Sequence, residues 1–122
     1  MTPTEFDEQV YQAWNELPRE MRRSIANVAI VVEDRADDET LDLAGIDNPL
    51  DLYGFYHGVP LTARGHDYGL ILPDKISIYR EPILAACATD DAVKVFVRKT
   101  LRHELAHYFG IDDDRLEELD AY

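Results

Sequence analysis

The stretch Arg102-His103-Glu104-Leu105-Ala106-His107-Tyr108-Phe109-Gly110-Ile111-Asp112-Asp113 constrains this chain more than any other. It holds His-Glu-x-x-His followed by x-x-Gly-x-x-Asp. Residues 90–109 read as one helix, which puts His103 and His107 at i and i+4, on one face and about 5–6 Å apart at Cβ. Two imidazoles so placed can close on one small cation, because Zn–N bonds of about 2.0–2.1 Å need rings converging from the same side. Glu104 projects about 100° further round the helix. There it flanks a metal rather than ligating it, where a base for a metal-bound water must stand. With four His and ten Glu in 122 residues, the five-residue pattern arises by chance in roughly one such chain in a hundred.

A catalytic zinc takes three protein ligands and keeps one position open. His103 and His107 supply two. Gly110, able to take positive φ, is placed to end the helix and turn the chain back, bringing Asp113 toward the metal as the third. Asp112, Asp114 and Glu117 lie close enough in sequence to substitute for it. A carboxylate in place of a third His makes the site less soft, but zinc remains the expected metal. The competing reading is a helix whose two His are surface or half-buried residues with no ligand.

On these residues the chain resembles the zincin metallopeptidases, and more closely the minimal zincin-like metallopeptidases, small bacterial proteins. The likeness covers nearly the whole chain. It includes Asn27-Val28-Ala29-Ile30-Val31-Val32-Glu33-Asp34, Leu52-Tyr53-Gly54-Phe55-Tyr56, Gly58-Val59-Pro60-Leu61-Thr62 and Leu72-Pro73-Asp74-Lys75-Ile76-Ser77-Ile78-Tyr79, besides the final motif. The resemblance implies a metal-dependent hydrolase scaffold in which the motif helix packs beneath a sheet whose edge strand borders the cleft. It implies no particular substrate.

Composition sets the frame. At 122 residues, 46% hydrophobic and 30% charged, the chain suits one soluble domain, residues 1–122. No apolar run approaches a membrane span of roughly 18 residues, and the first twenty residues lack the pattern of a signal peptide. One cysteine, Cys87, forms no internal disulfide and suits a reducing cytoplasm; among Ile83, Leu84, Ala85 and Ala86 it reads as a small core residue. The net charge of −13 argues against nucleic acid as a partner. Residues 33–51 hold eight acids against Arg35, and residues 112–120 hold six against Arg115; both read as solvated surfaces rather than attractors of a basic peptide. Lys94, Arg98 and Arg102 read as the solvent stripe of the motif helix.

Taken in order, Thr4 caps a first helix to about residue 17, with Phe6, Val10, Ala13, Trp14 and Leu17 inward. Pro18 suits the first turn of a shorter helix carrying Met21 and Ile25. The continuous apolar, β-branched run 28–32 predicts a strand buried on both faces, central in the sheet. Leu41, Leu43 and Ile46 suggest a short helix before Asn48-Pro49. Residues 52–57 predict a second strand, in which Gly54 marks a bulge or a close backbone approach. Residues 61–69 read as a loop and 69–72 as a short strand. Residues 75–79 alternate Ile76 and Ile78 with polar residues, which predicts a half-buried strand at an edge. Glu81-Pro82 starts a short helix, and Thr89 or Asp90 caps the motif helix. The expected fold class is α+β: a small mixed sheet of three to four strands packed by helices, with the motif on a long C-terminal helix.

The implied chemistry is peptide-bond hydrolysis at zinc, with Glu104 as the catalytic base that takes the water proton and hands it to the leaving amine. Tyr53, Tyr56, Tyr68, Tyr79 and His66 are the candidates for an oxyanion partner. The pattern departs from the longer zincins: methionine occurs only at Met1 and Met21, so no Met-turn follows, and nine residues after Asp113 leave no lower subdomain. That departure supports a different reading, a protein-binding adaptor on the same scaffold. Glu104 speaks against it, since a structural zinc site has no use for a base and normally takes four ligands, often Cys. A metal-dependent RNA hydrolase is disfavoured by the charge and by the Asp at the third-ligand position.

Overall fold

The longest element, the helix Asp90–Tyr108, organises the others. The computed structural model describes residues 1–25, 27–58 and 74–109. In chain order these form α1 (Pro3–Asn15), α2 (Arg19–Ser24), β1 (Val28–Glu33), α3 (Asp38–Ala44), a 3-10 turn (Pro49–Asp51), β2 (Gly54–His57), β3 (Asp74–Tyr79), α4 (Arg80–Ala86) and α5 (Asp90–Tyr108). The architecture is the expected α+β, with a three-stranded mixed sheet among the described residues. No helix of these residues is long and apolar enough to cross a membrane. The expected loop at 61–69 and strand at 69–72 lie outside the described residues.

Helices α1, α3 and α5 start where a side chain satisfies a free N–H group. α1 is capped by Thr2, not Thr4: Thr2 Oγ1 accepts from Glu5 N at 3.1 Å, and the Glu5 carboxylate accepts from Thr2 N at 3.3 Å. Pro3 then occupies the first helical position, where its missing N–H costs nothing and its fixed φ fits. For α5 the cap is Thr89, whose Oγ1 accepts from Ala92 N at 3.1 Å. Asp37 caps α3 through Thr40 N at 2.8 Å, and Gly45 ends it at φ +70°, where a side chain would be strained.

The sheet order is β1-β3-β2, with β1 parallel and β2 antiparallel to β3. Among the described residues this exchanges two expected roles: β3 is central and β1 lies at an edge. The alternation in β3 hides the reason. Ile76 and Ile78 face the main core, yet Ser77, pointing the other way, is also fully buried. Its hydroxyl donates to Glu33 Oε1 at 2.7 Å. With that proton committed, the 3.3 Å contact to His57 Nε2 is a donation from the ring. A serine that reads as solvent-facing is therefore satisfied inside the protein. Among the described residues the apolar run of β1 pairs with β3 alone, and Ile30 and Val32 are half-buried against the core.

That core joins Phe6, Val10, Ala13 and Leu17 of the first helical segment, Ile25, Val28, Ile76, Ile78 and Ile83 with Val93, Val97, Leu101, Leu105 and Tyr108 of α5. A smaller cluster of Ala36, Leu41, Leu52 and Tyr79 lies on the other side of the sheet. Arg98, on the solvent side of α5 as expected, forks onto Glu16, with Nε at 2.5 Å and Nη2 at 2.7 Å from its two oxygens. This ties α5 to α1 in a bidentate geometry. Cys87 packs against the main core, and burial raises its thiol pKa, which keeps it unreactive.

Removing the α5 cap should be felt as lost stability. Thr89→Ala should lower the unfolding free energy by about 1 kcal/mol in urea, and Thr89→Ser by much less. Burial, with Lys75 nearby, pushes His57 below its ordinary value of 6.5. The unfolded chain then binds the proton first on acidification, so His57 favours the fold above about pH 6.5 and costs stability below it. NMR titration should place the His57 midpoint under 6.5, with His57→Gln flattening that part of the stability profile.

Candidate metal centre

α5 carries a run of buried positions, Val97, Thr100, Leu101, Glu104, Leu105 and Tyr108, at spacings that follow the helical period. Glu104 belongs to this inward face. It is 6% exposed although it is a carboxylate. A buried acid demands partners, and the helix supplies them from its own last two turns. Glu104 Oε1 lies 3.9 Å from His103 Nε2, and Oε2 lies 3.4 Å from His107 Nδ1. The imidazole rings stand 4.5 Å apart between centroids, inclined at 71°.

The donor atoms of His103, Glu104 and His107 all lie within 4.8 Å of one another. Two nitrogens bound to one tetrahedral zinc at about 2.0–2.1 Å stand about 3.3 Å apart. That separation lies inside the 4.8 Å bound. Both His are partly exposed, at 19% and 31% of the side chain, so the cluster opens to solvent on the imidazole side while its carboxylate is shut against the sheet. A cation here also sits at the negative end of the α5 dipole. Donor set, spacing and field all fit a divalent metal.

The expected third ligand, Asp113, lies outside the described residues, as do its substitutes Asp112, Asp114 and Glu117 and the helix-ending Gly110. Of the candidate oxyanion partners, Tyr68 and His66 also lie outside them. Tyr53 packs edge-on against Phe96, centroids 4.8 Å apart, well up the helix from His103. Tyr79 is buried in the smaller cluster, away from the α5 face. Tyr56 faces the α5 side: its ring meets Tyr108 edge-on at 5.9 Å, and its hydroxyl donates to Asp74 Oδ2 at 2.5 Å.

Asp74 is a partner that sequence reasoning missed. Following Pro73, it reads as a turn residue, yet it is 2% exposed. Nothing in the local pattern distinguishes a turn aspartate from one carried into the interior at the first position of a central strand.

A family model described as zincin-like metallopeptidase matches residues 25–122. Among solved structures, a conserved hypothetical protein from Thermus thermophilus is similar, at 25% identity and a TM-score of 0.54, covering 98% of this chain and 97% of that one. None of the curated proteins matches.

Zinc should therefore stabilise the fold. At free zinc about 100-fold above its Kd, wild type should gain about 2.7 kcal/mol, read as a raised Tm by calorimetry. His103→Ala and His107→Ala should show no such gain.

Proposed function

The chain belongs to the zincin-like metallopeptidase family, and on that footing we propose that it is a zinc-dependent peptidase whose base is Glu104. The observation that carries this reading is the burial of one carboxylate directly against two convergent imidazoles. His103 and His107 would hold the metal, with Asp113 as the proposed third ligand. Bound zinc supplies Lewis-acid polarisation of a peptide carbonyl and acidifies a water.

The protein's own groups do the rest. Glu104, shut off from bulk solvent, takes the proton of the attacking water and delivers it to the leaving amine. His107 and His103 stand beside that carboxylate on the open side of the cluster. The sheet supplies a binding edge: among the described residues β2 has β3 on one side and no strand on the other, and an extended peptide can pair with such an edge through its backbone. Peptide or protein substrate is the class this arrangement suits.

A purely adaptor role would leave the buried Glu104 without a purpose, since zinc retention needs ligands and not a base. Replacing Glu104 by Gln separates the two. The variant should bind zinc within a few-fold of wild type while turnover of a mixed peptide library, followed by mass spectrometry, falls by about 10²–10⁴. Asp113→Ala should weaken zinc binding. Equal cleavage by wild type and Glu104→Gln would contradict the proposal.

A further inference from the structure

Glu104 is held from the side by a strand that comes unusually close. A Cβ added at Gly54 would lie 2.8 Å from Thr100 Cγ2, 3.1 Å from the Ser77 carbonyl oxygen and 3.3 Å from Glu104 Cγ. Thr100 and Glu104 are four residues apart on α5, so their side chains stand one above the other on one face and leave a notch between them. The backbone of β2 at Gly54 sits in that notch. Gly54 is not in the left-handed region, so the reason for glycine here is space and not backbone conformation.

We infer that Gly54 is a positioning residue for Glu104: the bare backbone at this point lets β2 lie against the Glu104 methylenes and fix where its carboxylate stands relative to His103 and His107. This rests on the reading of Glu104 as the base, but the geometry it describes does not require that reading.

Which neighbour gives way decides what a side chain at residue 54 does. The Ser77 carbonyl belongs to the central strand and is fixed by pairing on both sides. Thr100 is β-branched and therefore stiff, and its Oγ1 donates to Phe96 O at 2.8 Å. Glu104 has the most rotatable bonds of the three, so it yields most readily. A methyl at residue 54 then has two separable effects. It overlaps Thr100, which strains the packing of β2 on α5. It also presses on Glu104 Cγ, which turns the carboxylate away from its place between the imidazoles.

The two effects come apart with a second substitution. Thr100→Ser removes the Cγ2 that a new methyl would strike and keeps the hydroxyl that bonds Phe96 O. Gly54→Ala, Thr100→Ser and the double variant are compared with wild type in three measurements: Tm, peptide turnover with zinc, and the ring 15N shifts of His107 in zinc-free protein. The last reads the His107 tautomer that Glu104 favours by facing Nδ1.

Gly54→Ala should lower both Tm and turnover. Thr100→Ser alone should match wild type in turnover and His107 shifts and lose a little Tm, as deleting one buried methyl costs. The double variant should recover at least the Tm of Thr100→Ser while turnover stays down by about a hundredfold, the cost of a small misplacement of a reacting group, with KM little changed and the His107 shifts displaced. Recovery of turnover and of the His107 shifts together with Tm in the double variant would overturn the inference, because Gly54 would then be required for packing alone. If wild type shows no turnover, the peptidase reading fails; the His107 shifts of the double variant still decide the role of Gly54, displaced in support and unchanged against.

Discussion

The closeness of α5 to β2 is the constraint on which the rest of this structure depends. A carboxylate on the inward face of a helix is costly unless it is partnered. Here the helix meets the sheet through glycine, so Glu104 can be folded in beside the strand with its two oxygens toward His103 and His107. A bulkier strand would push the helix outward and hydrate the acid. A helix offset by one residue would carry Glu104 off the inward face altogether, because each step turns a side chain by about 100°.

The surrounding elements all bear on that contact. Val93, Val97, Leu101 and Leu105 anchor α5 in the main core with Phe6 and Val10 of α1, and the Arg98–Glu16 fork secures the same helix at its solvent side. Thr89 fixes where the helix begins, and so fixes the phase of every residue after it. On the strand side, Ser77 allows a central strand to be buried on both faces by satisfying itself with Glu33 and His57. The centre is thus held by ordinary packing. Of the two carboxylates buried among the described residues, Asp74 and Glu104, Glu104 is the one to which the chemistry is assigned.

The parts legible in the sequence are those where spacing along the chain becomes spacing in space by a fixed rule. His103, Glu104 and His107 meet as expected because a helix imposes that geometry whatever lies around it. Gly54 stood out because glycine inside a strand needs a reason, and close approach is that reason. Strand order was not legible, since it depends on which segments pair at long range. The β-branched run of β1 looked central and the alternating β3 looked peripheral, but burial of Ser77 depends on Glu33, 44 positions away. Asp74 was hidden for the same reason, its partner Tyr56 lying across the sheet. The α1 cap shifted by two residues because Thr2 and Thr4 are the same residue type, and only Pro3 and Glu5 together favour the first.

The central claim is that His103 and His107 converge on one metal beside Glu104. X-ray absorption at the zinc edge of the zinc-loaded protein tests it most directly. The account predicts one zinc per chain with two imidazole nitrogens at about 2.0–2.1 Å and oxygen or nitrogen completing the shell, one imidazole being lost in His103→Ala at high zinc. Sulfur in the shell, or an imidazole count that His103→Ala and His107→Ala leave unchanged, would contradict it.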